Sequence, residues 1–265
     1  MRLGSVASGS SGNCIYVGDE QTHILVDAGI SGKRIVAGLL EHNVSINEIQ
    51  GILITHEHID HIAGLGVLSR KYGIPIYVTP PTKVAIMNTK SVGVIQGELF
   101  VEIDPKETFQ VGTIQVFPIP ISHDAVDPVA YRLESNGKKV AILTDVGCYD
   151  NQIVCELQGL DAILIEANHD ENMVQVGTYP YQLKQRILGK RGHLSNANAG
   201  RLLNEIIHDN MKQIVLGHLS GENNIPELAY ETVRMELTMA DNGYTGTDYP
   251  ILVANRSSVT DLIQI

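Results

Sequence analysis

The run Thr55-His56-Glu57-His58-Ile59-Asp60-His61 sets three imidazoles and two carboxylates in a few residues. Neutral imidazole with carboxylate is a ligand set suited to zinc, manganese or iron. His56 and His58, two apart, can converge on one ion. Asp60 and His61 come off the next turn of chain and can reach a second ion a few ångströms away, so the string has one ligand too many for a single metal. Two ions so placed can activate water and neutralise charge on a bound group.

These residues must be held by a strand-to-helix loop. The apolar run Ile52-Leu53-Ile54 reads as a buried strand, and a helix covering roughly 62–72 follows. A second strand, His23-Ile24-Leu25-Val26, ends in Asp27-Ala28-Gly29. A carboxylate at that place can accept an N–H from a ligand histidine and fix its tautomer. Ahead of it, Ser8-Gly9-Ser10-Ser11-Gly12-Asn13 reads either as an anion-facing loop or as a turn joining two strands, the second being Cys14-Ile15-Tyr16-Val17. Residues 31–42 have the apolar spacing of a helix on a sheet, and Pro80-Pro81 suits the first turn of another.

From Thr108 the pattern turns to β: 109–111, 114–119, 129–134 and 139–143, with Asn136-Gly137 as a hairpin turn. Two strand ends there carry His123 and Asp145, each a weak signal alone. The strand Ala162-Ile163-Leu164-Ile165 runs into Glu166-Ala167-Asn168-His169-Asp170. A proline-opened helix over 179–188 precedes Gly192-His193-Leu194-Ser195-Asn196, where Ser195 can cap the next helix. His218 follows the apolar run Ile214-Val215-Leu216-Gly217.

Composition narrows the class. A chain of 265 residues, 43% hydrophobic and 18% charged, can bury a full core, and one domain over 1–265 is expected. No apolar run approaches the roughly 20 residues of a membrane span, and the amino terminus lacks the apolar segment of a signal peptide, so a cytoplasmic protein is expected. Cys14, Cys148 and Cys155 lack metal spacing and read as small buried hydrophobes. The net charge of −11 argues against a nucleic-acid partner. Yet residues 172–204 hold no acidic side chain, while Lys184, Arg186, Lys190, Arg191 and Arg201 fall among them. That segment is either a solvated helix face or a strip that binds phosphates.

The H-x-H-x-D-H string resembles the signature of the metallo-β-lactamase superfamily. The resemblance implies an α/β fold, the αββα sandwich, with one or two metals at one edge. It also implies that His123, Asp145 and His218 join the ligands, with His56, His58, His123 and Asp145 around one ion. Asp60, His61, Asp145 and His218 would surround the other, with Asp145 bridging and Asp27 supporting a ligand histidine. In tRNA 3′-end processing nucleases and related phosphodiesterases a strand-end glutamate and a later histidine form an acid dyad, and Glu166 and His193 occupy similar places. The strings 8–13, 165–170, 192–196 and Gly217-His218-Leu219-Ser220-Gly221-Glu222-Asn223-Asn224 are similar to those of the bacterial YycJ/WalJ (VicX) family. That family is linked to 5′-to-3′ DNA exonuclease activity with manganese and, by genome context, to two-component control of the cell wall. The chain is too short for the β-CASP insertion of larger nucleases, and His169 is an extra histidine that either adjusts the metal site or anchors its loop.

The expectation is a phosphodiesterase with two divalent ions, manganese or zinc with iron as a third option, acting on DNA rather than RNA. A hydroxide bridging the ions attacks phosphorus, Asp60 orients it, and Glu166 with His193 serves the leaving oxygen. Lys184, Arg186, Lys190 and Arg191 are the candidate substrate contacts. Competing readings are a hydrolase of a small phosphodiester or thioester, and a signalling accessory protein that keeps its metals for stability.

Overall fold

The computed structural model describes residues 1–265, and their contacts divide them into two compact units. The first comprises 1–120, 125–138 and 255–265; the second comprises 121–124 and 139–254.

In the first unit, strands β1 (Arg2–Ala7), β2 (Cys14–Gly18) and β3 (His23–Val26) are antiparallel neighbours. Next, β4 (Ile49–Leu53), β5 (Ile76–Val78) and β6 (Phe100–Glu102) extend the sheet in parallel, and the terminal strand Ile263–Gln264 closes the opposite edge. An antiparallel ladder of β7 (Phe109–Val111), β8 (Ile114–Pro120) and β9 (Val129–Ser135) lies over this sheet. The fully buried Tyr131 of β9 donates its hydroxyl to the carbonyl of Ile54, 2.8 Å away, and Val129 N–H bonds Thr55 C=O. Both anchor the ladder where the sheet runs into the histidine motif.

Helix α1 (Gly32–Glu41) begins at Ser31, whose hydroxyl accepts from Arg34 N–H, and buries Ile35 and Leu39 at helical spacing. The motif holds the short helix α2 (Ile59–Ile62), and α3 (Leu65–Tyr72) follows. The single helix predicted over 62–72 is therefore interrupted. Gly64 N–H leaves the helical ladder and bonds Ala28 C=O at 2.8 Å, which ties the motif to the strand end after β3. Helix α4 (Pro80–Asn88) starts at its proline. Strand β4 begins three residues before the predicted one, because exposed Gln50 breaks the apolar run without ending the pairing to β3.

The second unit holds β10 (Lys138–Leu143) from Lys139 onward, β11 (Ala162–Glu166), β12 (Gln213–Gly217) and β13 (Ile251–Val253), all parallel. Every residue of β11 is buried, the continuous apolar pattern of a strand covered on both faces. Its helices are α5 (Asn151–Glu156), α6 (Glu171–Val176), α7 (Tyr181–Ile187), α8 (Asn196–Ile206) and α9 (Pro226–Met239). Helix α7 starts at Tyr181 rather than Tyr179, since the residue before Pro180 is held out of helical geometry. Ser195 caps α8, accepting from Asn198 N–H. Asn136 and Gly137 both take positive φ, 51° and 72°, as a two-residue primed turn requires. The cysteine expectation needs correcting: Cys14 is buried in the core, Cys148 is half-buried, and Cys155 is exposed on α5. No helix is long and apolar enough to cross a membrane.

Candidate active site

In the first unit the motif brings His56, His58, Asp60 and His61 together. The ring of His56 stands 4.6 Å from that of His58 and 4.1 Å from that of His61, centroid to centroid. His61 and His56 are buried, while His58 and Asp60 are partly exposed. Asp27 organises the group. Its Oδ2 accepts from His61 Nδ1 at 2.7 Å and from the Thr55 hydroxyl at 2.8 Å, and its Oδ1 accepts from Thr55 N–H at 2.9 Å. With its proton given to Asp27, the Thr55 oxygen accepts from His56 Nδ1 at 3.0 Å. Both histidines therefore carry a proton on Nδ1, so that in the neutral ring a metal ligates, Nε2 is the nitrogen with the lone pair.

The backbone around Asp27 is built for this approach. Asp27 sits at φ 62°, a left-handed conformation that aspartate tolerates better than most residues. Gly29 lies so close to the motif that a Cβ there would stand 1.6 Å from the Asp60 carbonyl oxygen. The glycine-rich loop is a turn: Asn13 exchanges side-chain bonds with Gly9, Gly12 N–H bonds Gly9 C=O, and Asn13 N–H bonds Asp60 C=O. Asn13 Nδ2 also lies 3.2 Å from His61 Nε2. Asn13 and Thr55 lie in strings legible in the sequence, but nothing there marks their roles beyond a small polar residue beside a strand and a ligand candidate.

In the second unit Asp145, Glu166, His193 and His218 offer ligand atoms all within 4.8 Å of one another. Glu166, wholly buried at the end of β11, is the hub. Its Oε1 accepts from His193 Nδ1 at 2.7 Å and from His218 Nδ1 at 2.8 Å, and its Oε2 accepts from the N–H groups of Val146 and Leu194. Burial opposes its ionisation, but the charge and N–H of His193, with the N–H of His218, outweigh this and bring its pKa down to about 2. For His193 burial acts to lower the pKa, and the Glu166 carboxylate overcomes it and raises it. Asp145 Oδ1 lies 3.5 Å from His193 Nδ1 and 3.6 Å from His123 Nε2. His123 donates Nδ1–H to Gly192 C=O at 2.9 Å, and burial lowers its pKa. Asp145 and His218, like Asp27, occupy left-handed positions at strand ends, with φ of 59° and 55°. Such conformations cost about 1–3 kcal/mol each and gather at functional sites.

His169 is buried, its Nδ1 donating to Asn168 Oδ1 at 3.3 Å, and burial takes its pKa to about 4. Asn168 in turn donates to His218 C=O, and Asn224 donates to the carbonyls of Ala167 and Asn168. Nothing in the sequence marks these two asparagines as site residues. Within the basic segment, Arg186 forms a two-pronged pair with Asp124, Arg191 donates to His123 C=O, and the Lys184 amine bonds Gln175 C=O. Lys190 is exposed and gives its carbonyl to the Ser122 hydroxyl. Two of the four cations thus grip the loop that carries His123.

The donor set suits a borderline or hard divalent metal. It offers imidazole and carboxylate without thiolate, and His56, His61, His123 and His218 all have Nδ1 committed to an acceptor, which leaves Nε2 as the ligating nitrogen of the neutral ring.

The chain matches a family model described as a beta-lactamase superfamily domain over residues 22–219. It belongs to the metallo-β-lactamase superfamily, and within it to the YycJ/WalJ family, with the α/β sandwich fold that this membership carries. It is 41% identical to Exodeoxyribonuclease WalJ of Streptococcus pneumoniae (strain D39) over 263 residues, which is 98% of this chain and 96% of that one. It is 40% identical to Exodeoxyribonuclease YycJ of Bacillus anthracis over 232 residues, 88% of this chain and 87% of the relative. Among solved structures, zinc-bound PqqB from Methylobacterium extorquens shares the fold at a TM-score of 0.71, with 17% identity, covering 98% of this chain and 100% of that one.

Proposed function

We propose that the protein is a two-metal phosphodiesterase that digests DNA as a 5′-to-3′ exonuclease in the cytoplasm, residues 1–265 acting as one domain. The observation that carries the metal-dependent hydrolase is the common tautomer of four motif and strand-end histidines, each with Nε2 as its lone-pair nitrogen. The DNA substrate is supported by relatives named exodeoxyribonucleases at 40–41% identity over most of the chain.

Two divalent ions, manganese or zinc, would draw their ligands from His56, His58, Asp60, His61, His123, Asp145 and His218. When bound they supply Lewis acidity to the phosphate oxygens and lower the pKa of water. Asp60 orients the attacking water. His193, held charged against Glu166, gives its Nε2 proton to the departing alkoxide as the new P–O bond forms and the old one breaks. Lys184, Arg186, Lys190 and Arg191 contribute positive charge toward the polymer.

A panel of 5′-labelled and 3′-labelled DNA and RNA, with manganese or zinc added, tests this reading beside bis(p-nitrophenyl) phosphate and a thioester. Release of mononucleotides from the 5′ end of DNA is expected. Hydrolysis of the thioester alone would overturn the phosphodiesterase. Metal analysis of Asp145→Ala should show less than full occupancy, and full occupancy would remove Asp145 from the ligand set.

A further inference from the structure

Helix α7 presents Tyr181, Lys184 and Gln185 at i, i+3 and i+4, and Leu188, which caps its C-terminus at i+7, continues the same face. With Gln175 of α6 they line a cavity of about 300 Å³, at the lower end of the range for small-ligand sites. Its apolar members are exposed: Tyr181 is 73% accessible and Leu188 41%. The polar groups are arranged. Gln185 Nε2 donates to the Tyr181 hydroxyl at 2.8 Å, which fixes the ring and leaves the phenol proton and the Gln185 amide oxygen for a ligand. The Lys184 amine donates to Gln175 C=O at 2.7 Å, which lays its aliphatic stem along the cavity.

We propose that this face is a subsite for one nucleobase of single-stranded DNA, with the base stacked on Tyr181 and its edge read by Gln185. An aromatic face with one donor and one acceptor beside it matches a base, and the Lys184 ammonium, which spends one of its three donors on Gln175 C=O, keeps its charge for a neighbouring phosphate. The segment that carries the cavity suits a polyanion: residues 172–204, which include all of α7, contain no acidic side chain. Arg186, five residues along the same helix and so roughly 7.5 Å along its axis, pairs with Asp124 next to His123. The subsite is thereby attached to the loop of a candidate ligand. This inference rests on the DNA phosphodiesterase reading.

The test uses the full chain with its metals and a fluorescent single-stranded phosphorothioate oligonucleotide that resists cleavage. Tyr181→Ala should weaken binding roughly 5- to 150-fold, the range for loss of one stacked base. Tyr181→Phe should stay within about threefold of wild type, because the ring is kept. On a strand of abasic sites the alanine variant should bind like wild type, and hydrolysis of bis(p-nitrophenyl) phosphate should be unchanged in both variants. Equal binding of the intact strand by wild type and Tyr181→Ala, or an equal loss on the abasic strand, overturns the subsite while leaving the exonuclease reading standing. A wild-type protein that neither binds nor cleaves DNA overturns both.

Discussion

Oε1 of Glu166 lies 2.7 Å from Nδ1 of His193, and the same oxygen accepts from Nδ1 of His218 at 2.8 Å. One carboxylate oxygen thus orients both the candidate acid and a candidate metal ligand. Glu166→Gln should therefore act on both functions. The amide keeps the shape but loses the charge, so metal affinity should fall about 10- to 100-fold along with activity on DNA. Metal titration followed by spectroscopy checks this, and an unchanged affinity would confine Glu166 to the acid role.

His193→Ala should slow DNA cleavage by about 10²- to 10⁴-fold, the usual range for loss of a general acid, with the metals retained. Because p-nitrophenolate departs without a proton, the same variant should keep far more activity on bis(p-nitrophenyl) phosphate. Equal slowing on both substrates, or loss of metal, would make His193 a ligand or a packing residue.

Asp27→Asn should fold, since asparagine also tolerates φ near +60°, and should lower metal affinity by about 10- to 100-fold. The charge that holds His61 Nδ1 and the Thr55 hydroxyl would be gone. Calorimetric metal titration, with circular dichroism to show that the fold persists, measures the effect. Wild-type affinity would mean that Thr55 alone orients the histidines.

Asp19 predicts an acid limb of stability that does not involve the candidate metal ligands. Burial disfavours its ionisation, but hydrogen bonds from the hydroxyls of Ser135 and Thr113 and the N–H groups of Gln21 and Thr22 outweigh this and hold its pKa at about 2, below the ordinary 3.8. Its contribution, of the order of 2 kcal/mol, is complete above pH 3.8 and is lost as the pH falls through about 2, because the unfolded chain takes up the proton first. Acid unfolding of Asp19→Asn should show a shallower slope between those values, read by circular dichroism at fixed temperature. An unchanged slope would assign the acid limb to other carboxylates.

The sequence by itself determined the strand ends and their chemistry. Runs such as Ile24-Leu25-Val26 and Ile163-Leu164-Ile165 must be buried, so the polar residues that close them, Asp27 and Glu166, are delivered to the rim of a sheet whatever else the fold does. The spacing of His56, His58, Asp60 and His61 is local in the same sense. Tertiary structure decided what those groups touch. Glu166 lies 27 residues from His193 and 52 from His218, and no periodicity reports that both reach one oxygen. The pairing of Arg186 with Asp124, the break before α3 where Gly64 bonds Ala28, and the left-handed φ of Asp145 and His218 are equally non-local in origin. Apolar burial is set by composition along a few residues, whereas a directional hydrogen bond depends on where two distant stretches of backbone come to rest.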